Sequence, residues 1–97
     1  MQTITPQQLK NRLNNNEPLH IIDVREPEEI ATGMIAGAVS IPLGQIPERI
    51  DEIPRDKETI LVCRGGNRSK RAYDFLTAQG FTNLTNMTGG MMEWEAL

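Results

Sequence analysis

Short runs of apolar, β-branched residues alternate along this chain with segments of helical spacing. The runs at residues 19–24 (LHIIDV) and 59–62 (TILV) are typical of strands buried on both faces. Residues 38–41 and 82–87 predict two further strands. Because helices are predicted between these strands, the chain is expected to form a parallel sheet with helices on both faces, which is an α/β fold.

The predicted helices are marked by their boundary residues. Thr5 and Pro6 predict a helix start, as N-cap and first helical residue, with Leu9 and Leu13 on its apolar face. Gly33, Pro54 and Gly80 mark predicted helix ends. The other predicted helices span residues 26–32, 46–53, 69–79 and 91–97.

The composition excludes several classes of protein. A chain of 97 residues has room for one domain, so residues 1–97 are expected to form a single domain. With 10 Lys and Arg against 13 Asp and Glu, its net charge of −3 argues against nucleic-acid and membrane-surface partners. No apolar stretch approaches the roughly 20 residues that cross a bilayer. The first residues also lack the features of a signal peptide, which predicts a cytoplasmic protein.

The single cysteine, Cys63, therefore needs its own explanation. One Cys and one His exclude an internal disulfide and a zinc site built from Cys and His, and we expect neither a metal nor a cofactor. Cys63 directly follows the strand at residues 59–62 and precedes a basic segment. No Asp or Glu lies between Thr59 and Tyr73, yet four of the ten basic residues fall there: Arg64, Arg68, Lys70 and Arg71.

This order of strand, cysteine, glycine-rich turn and helix has a chemical meaning. Ligands of open parallel sheets bind beyond the carboxyl ends of the strands. A turn made flexible by Gly65 and Gly66 can direct backbone N–H groups inward, and the following helix adds its positive end. Such surroundings, with Arg64 and Arg68 nearby, lower the pKa of a cysteine thiol. The segment therefore predicts a nucleophilic thiolate that attracts an anionic substrate. A buried structural cysteine beside a solvated basic face is the competing interpretation.

Three segments in a fixed order resemble one protein family. They are CRGGNRS at residues 63–69, IDVRE at 22–26 followed by GMIAGA at 33–38 and Ile41-Pro42, and Gly89-Gly90 followed by Trp94. Together they are similar to the single-domain rhodanese (thiosulfate sulfurtransferase) family. The resemblance implies a rhodanese-like α/β fold around a central five-stranded parallel sheet. It also implies an enzyme that carries sulfur as a persulfide on Cys63.

The resemblance and the chemistry together predict the site. Cys63 is the expected nucleophile, and it attacks the outer sulfur of thiosulfate or of a persulfide donor. It then passes the sulfur to cyanide, a thiol or a protein acceptor. The backbone of the loop is expected to stabilise the persulfide anion. The residues of this predicted anion-binding loop are Arg64, Gly65, Gly66, Asn67, Arg68 and Ser69.

Supporting roles are predicted for Asp23 and Arg25, which end another strand at the same edge of the sheet. Asp23 is expected either to orient Arg68 or Arg25, or only to tie two loops together through an Asp–Arg pair. Ser69 is expected to N-cap the helix after the loop. Arg68 is expected either to bind anions or to brace the loop.

Three other functions compete with a catalytic sulfurtransferase. A sulfur-relay module would have the same residues and would differ only in taking sulfur from a protein partner or giving it to one. A regulatory domain without chemistry would not need Cys63 and its whole loop. A cysteine-dependent phosphatase is the third alternative. Four residues separate Cys63 from Arg68, one fewer than in the phosphatases that this loop resembles, and a smaller ring of N–H donors suits a terminal sulfur better. The sequence does not give the oligomeric state.

Overall fold

A five-stranded parallel sheet forms the centre of the computed structural model, which describes residues 1–97. The strands are β1 (Thr3–Ile4), β2 (His20–Asp23), β3 (Val39–Ser40), β4 (Thr59–Val62) and β5 (Leu84–Met87). They lie in the order β1-β5-β4-β2-β3, and every neighbouring pair is parallel. β4 and β5 are buried along their whole length, as expected for strands covered on both faces.

Helices cover both faces of this sheet, which confirms the predicted α/β class. They are α1 (Pro6–Asn14), α2 (Pro27–Ile30), α3 (Asn67–Ala78) and α4 (Gly90–Glu95). Alternate residues of β4 divide between two apolar clusters because successive strand residues point to opposite faces. Leu61 and Cys63 pack with Leu76 of α3, whereas Ile60 and Val62 pack with Leu9 of α1 and Met91 of α4. No helix combines the length and the apolar character that crossing a bilayer requires.

The predicted helix over residues 46–53 is wrong. The region contains a turn at residues 46–49 and one turn of 3-10 helix, Ile50–Glu52, and a second 3-10 turn, Leu43–Gln45, precedes it. Pro47 lies between the two 3-10 turns, and because it has no N–H to donate, the hydrogen bonds of the first turn do not continue into the second. Ile46 and Ile53 are nevertheless buried in the cluster that includes Leu61, so their apolar spacing reflects packing without a continuous helix.

Candidate active site

The carboxyl ends of β2 and β4 place the predicted site residues at one edge of the sheet. Asp23 lies opposite Val62 in the parallel register, and the Val24 N–H donates to the Val62 carbonyl at 2.8 Å. Cys63 and Arg25 therefore leave the sheet side by side, as the sequence predicts. A loop of three residues, 64–66, then connects Cys63 to the first turn of α3.

This short loop curves around the Cys63 sulfur. The Gly66 N–H donates to Sγ at 3.0 Å, and the Ser69 hydroxyl lies 3.3 Å from Sγ. Gly66 has a φ of 104°, in the left-handed region that favours glycine, whereas Gly65 has a negative φ and open space beside it. Of the two glycines, only Gly66 has a backbone conformation for which the curved loop needs a glycine.

Ser69 has a different place from the one predicted. Gly66 is the N-cap of α3, and Ser69 is the third residue of the helix, with its side chain turned inward and fully buried. The predicted N-cap role of Ser69 is therefore wrong. Because α3 starts at Asn67, two residues earlier than predicted, the Ser69 hydroxyl contacts the thiol instead of a backbone N–H at the helix start.

These contacts decide the ionisation of Cys63, whose side chain is only 1% exposed. Burial raises the pKa of the thiol, since it disfavours the charged form. Hydrogen bonds from the Ser69 hydroxyl and from the N–H groups of Ser69, Gly66 and Gly65 outweigh burial. The pKa of the Cys63 thiol is therefore lower than its usual value. A cysteine that is merely packed in a core would show the opposite shift.

Arg68 contacts a residue that the sequence analysis missed. Its guanidinium donates to both carboxylate oxygens of Glu29 in α2, at 2.6 and 2.7 Å. This ion pair holds the pKa of the Glu29 carboxyl at about 2. Arg68 therefore braces the loop against α2, and Asp23 does not orient Arg68. The sequence contained one indication that Glu29 has a structural role. Glu29 lies three residues after Glu26, a spacing that is typical of a helix start.

Removing the charge of Glu29 is expected to destabilise the fold only above acidic pH. Because the pKa of Glu29 is lowered in the folded protein, its ion pair contributes stability above the ordinary value of 4.5. That contribution is lost as the pH falls towards about 2. Urea unfolding should show Glu29→Gln less stable than the wild type by up to about 1 kcal/mol at pH 7. The difference should shrink below pH 4.5; a constant difference across this range would contradict the pairing.

Asp23 and Arg25 form a buried ion pair at the end of β2. The Arg25 side chain donates to Asp23 at 3.0 Å from Nε and 2.8 Å from Nη2, and both side chains are at most 3% exposed. Nη2 also donates to the Gly33 carbonyl at 2.8 Å. The pair thus ties β2 to the segment after α2, and Asp23 also orients Arg25, which lines the pocket beside the loop.

Asp23→Asn is expected to lower the free energy of unfolding by about 2 to 3 kcal/mol, because it leaves a buried guanidinium without its counter-charge. Urea denaturation at neutral pH measures this effect. Glu52→Gln is a suitable control, since it removes one carboxylate from the exposed Arg49–Glu52 pair and should cost little. Equal effects of the two substitutions would show that burial of the Asp23 pair is unimportant.

A pocket of about 430 Å³ lies beside the loop and is lined in part by Arg64. Arg64 is exposed and its guanidinium has no hydrogen-bonded partner, so it is the free cation of the loop. The other lining residues are Arg25, Glu28, Glu29, Thr32, Met92 and Glu95. A second pocket, of about 390 Å³, contains Arg12, Glu58 and Thr85 instead. The Arg12 guanidinium there is bound by Glu58 and Glu17, so that pocket offers no free cation.

The start of α4 supports the loop from below. The Met91 N–H donates to the Cys63 carbonyl at 2.8 Å, and the Met92 N–H donates to the Arg64 carbonyl at 3.1 Å. Gly90 makes this approach possible, since a Cβ atom there would lie 2.3 Å from the Arg64 carbonyl oxygen. The start of α4 therefore holds the backbone of the Cys63 loop in place, and Gly90 allows the close approach.

Known proteins are similar to this chain in sequence and in fold. The family model described as the rhodanese-like domain matches residues 5–97. A Bacillus subtilis protein is 47% identical over 87 residues, which cover 90% of this chain and 84% of that protein. A protein of Allochromatium vinosum named sulfurtransferase is 40% identical, with 94% of this chain and 85% of its own length covered.

A solved structure agrees with the sequence relatives. The crystal structure of a rhodanese-like domain protein from Staphylococcus aureus superposes with a TM-score of 0.92 at 38% identity. The match covers 97% of this chain and 91% of that one. The strand order, the loop after β4 and the sequence match all point the same way, and the chain belongs to the rhodanese-like domain family.

Proposed function

We propose that this protein is a sulfurtransferase that carries sulfur as a persulfide on Cys63, with residues 1–97 acting as one catalytic domain. The observation that carries the proposal is the cradle around Sγ. A buried thiol whose pKa is lowered by backbone N–H groups and a hydroxyl has a larger thiolate fraction near neutral pH than an ordinary thiol, and the thiolate is the nucleophile. The sulfurtransferase name of the Allochromatium vinosum relative supports the same chemistry.

The reaction has two steps. In the first, the Cys63 thiolate attacks the outer sulfur of thiosulfate, a new S–S bond forms, and sulfite leaves with the electron pair of the broken bond. In the second, cyanide or a thiolate attacks the terminal sulfur of the persulfide and releases the Cys63 thiolate. The charge on the terminal sulfur of the persulfide is stabilised by the N–H groups of the loop, as an oxyanion hole stabilises its oxygen.

The two arginines of the loop have different roles. Arg68 is engaged by Glu29 and holds the loop against α2. Arg64 is free and lines the pocket beside the loop, so it attracts the anionic donor. The positive end of α3 adds to this attraction, because the loop leads directly into the first turn of the helix.

Arg64→Gln is expected to raise KM for thiosulfate about three- to tenfold while changing kcat little, since the guanidinium binds the donor and leaves the nucleophile untouched. Steady-state kinetics at low and high salt measure this effect, and the difference from the wild type should shrink at high salt. Lys70→Gln is the matched control, because Lys70 is an exposed cation of α3 outside the pocket. An equal effect of both substitutions would assign the attraction to the overall charge.

The intact mass of the reduced protein after incubation with thiosulfate tests the proposal. We expect a gain of one sulfur atom, which cyanide then discharges as thiocyanate. Protein alkylated beforehand with iodoacetamide is the control, since the chain contains a single cysteine. No gain with thiosulfate or with a small-molecule persulfide would refute a Cys63 persulfide. Release of phosphate from an aryl phosphate would favour the phosphatase alternative.

One observation favours a relay module as the second candidate. The pocket that contains Arg64 is also lined by Glu28 and Glu95, whose carboxylates have no ion-pair partner and therefore repel a dianion such as thiosulfate. A persulfide delivered by a partner protein carries less charge at the reacting sulfur. Fast loading by a cysteine desulfurase combined with slow turnover of thiosulfate would identify a relay.

A further inference from the structure

Asn86 of β5 has no role in the site described so far, although it is a polar side chain that is only 4% exposed. It lies on the same face of the sheet as Leu84, beneath the start of α3. Its Nδ2 atom is 3.4 Å from the Gly66 carbonyl oxygen, and its Oδ1 atom has no hydrogen-bond partner. A buried acceptor without a partner costs stability, so the presence of an amide at this position needs a physical explanation.

The explanation lies in the hydrogen bonds to the Gly66 carbonyl. Three donors converge on its oxygen: the Ser69 hydroxyl at 3.1 Å, the Lys70 N–H at 3.3 Å and the Asn86 amide at 3.4 Å. A carbonyl oxygen has two lone pairs, so one of the three donors is in excess. The Ser69 hydroxyl is the only one of them that also has the Cys63 sulfur within reach, at 3.3 Å.

The single proton of the Ser69 hydroxyl can serve only one acceptor at a time. When Cys63 is a neutral thiol, its S–H can donate to the Ser69 oxygen while the hydroxyl donates to the Gly66 carbonyl. When Cys63 is ionised, the thiolate can only accept, so the hydroxyl has to turn from the carbonyl to Sγ. That turn is free of cost only if other donors keep the carbonyl satisfied.

We propose that Asn86 is a positioning residue for the Cys63 thiolate: its amide and the Lys70 N–H together fill both lone pairs of the Gly66 carbonyl, which releases the Ser69 hydroxyl to turn onto the ionised sulfur. Asn86 touches neither Sγ nor the donor, and it acts through Gly66 and Ser69. It matters for catalysis only if the Cys63 thiolate is the nucleophile, as proposed above.

The test is the pH dependence of Cys63 alkylation by iodoacetamide, which reports the ionised fraction of the thiol and needs no sulfur transfer. In Asn86→Leu, which keeps the size of the side chain and removes the amide, the midpoint should rise by about half a pH unit to one pH unit. In the Ser69→Ala background, the same substitution should leave the midpoint unchanged, because no hydroxyl is left to release. The four proteins compared are the wild type, Asn86→Leu, Ser69→Ala and the double variant. The charged groups near the loop are the same in all of them: Arg64, the Arg68–Glu29 pair and the Asp23–Arg25 pair.

Thr85→Val is the matched control. It removes a buried polar group from the adjacent position of β5, where the hydroxyl donates to Glu58, and it should leave the midpoint unchanged. Asn86→Ala is a smaller second variant that fits without a clash, and it should shift the midpoint in the same direction as Asn86→Leu. Thermal unfolding should show that Asn86→Leu is at least as stable as the wild type. If the role of Asn86 were purely structural, its replacement would lower the stability.

An unchanged midpoint in both Asn86 variants would overturn the proposal. An equal shift with and without the Ser69 hydroxyl would also overturn it, because the amide would then act on the sulfur by another route. Neither result bears on persulfide formation, which the mass measurement decides separately.

Discussion

Cys63→Ser is expected to lower turnover of thiosulfate and cyanide by at least about a thousandfold. The serine hydroxyl would occupy the place of the thiol and accept the same hydrogen bonds from the Gly66 N–H and the Ser69 hydroxyl. It would not ionise at neutral pH, however, and an oxygen nucleophile is far weaker towards divalent sulfur. Thiocyanate production by the two purified proteins measures this loss.

Controls must show that the loss is chemical. Cys63→Ser should retain the far-ultraviolet circular dichroism of the wild type, and Cys63→Ala should be equally inactive. Residual activity above about a tenth of the wild type would mean that sulfur passes to the acceptor without a covalent intermediate on this residue. The chain has no second cysteine that could replace it.

Much of this site was visible in the sequence because its parts are adjacent along the chain. The end of β4, the cysteine, the glycines and the start of α3 all lie within residues 59–69, and local rules predict their arrangement. The exact start of α3 was predicted two residues late, since Ser69 is a good N-cap residue type. Only the left-handed conformation of Gly66 shows that the helix begins earlier.

The contacts that sequence reasoning missed join residues far apart in the chain. Glu29 and Arg68 are 39 positions apart, and their pairing depends on where α2 packs. Asn86 and Gly66 meet only because β5 is the neighbour of β4 in the sheet. β1 is two residues long and shows no periodicity, so no pattern rule detects it. It forms because its backbone completes hydrogen bonds with β5.

The second large effect is expected from Gly90→Ala, which should lower the free energy of unfolding by about 3 to 5 kcal/mol. Gly90 has a φ of 59°, a conformation that an alanine adopts only with strain. Its Cβ atom would lie 2.3 Å from the Arg64 carbonyl oxygen and 2.6 Å from the Cys63 carbonyl oxygen. Both neighbours are backbone atoms of the loop, so the clash is relieved only by moving the loop or α4.

Loss of stability and loss of activity should therefore go together at this position. Moving α4 away breaks the hydrogen bonds from Met91 and Met92 to the carbonyls of Cys63 and Arg64, and moving the loop misplaces the N–H groups around Sγ. Urea unfolding combined with the iodoacetamide pH profile distinguishes this outcome from simple destabilisation, because the folded variant should still show a raised midpoint for Cys63. Gly44→Ala is the control: Gly44 has a negative φ and open space, so its substitution should change neither measurement. A stable Gly90→Ala protein with an unchanged midpoint would show that α4 does not hold the loop.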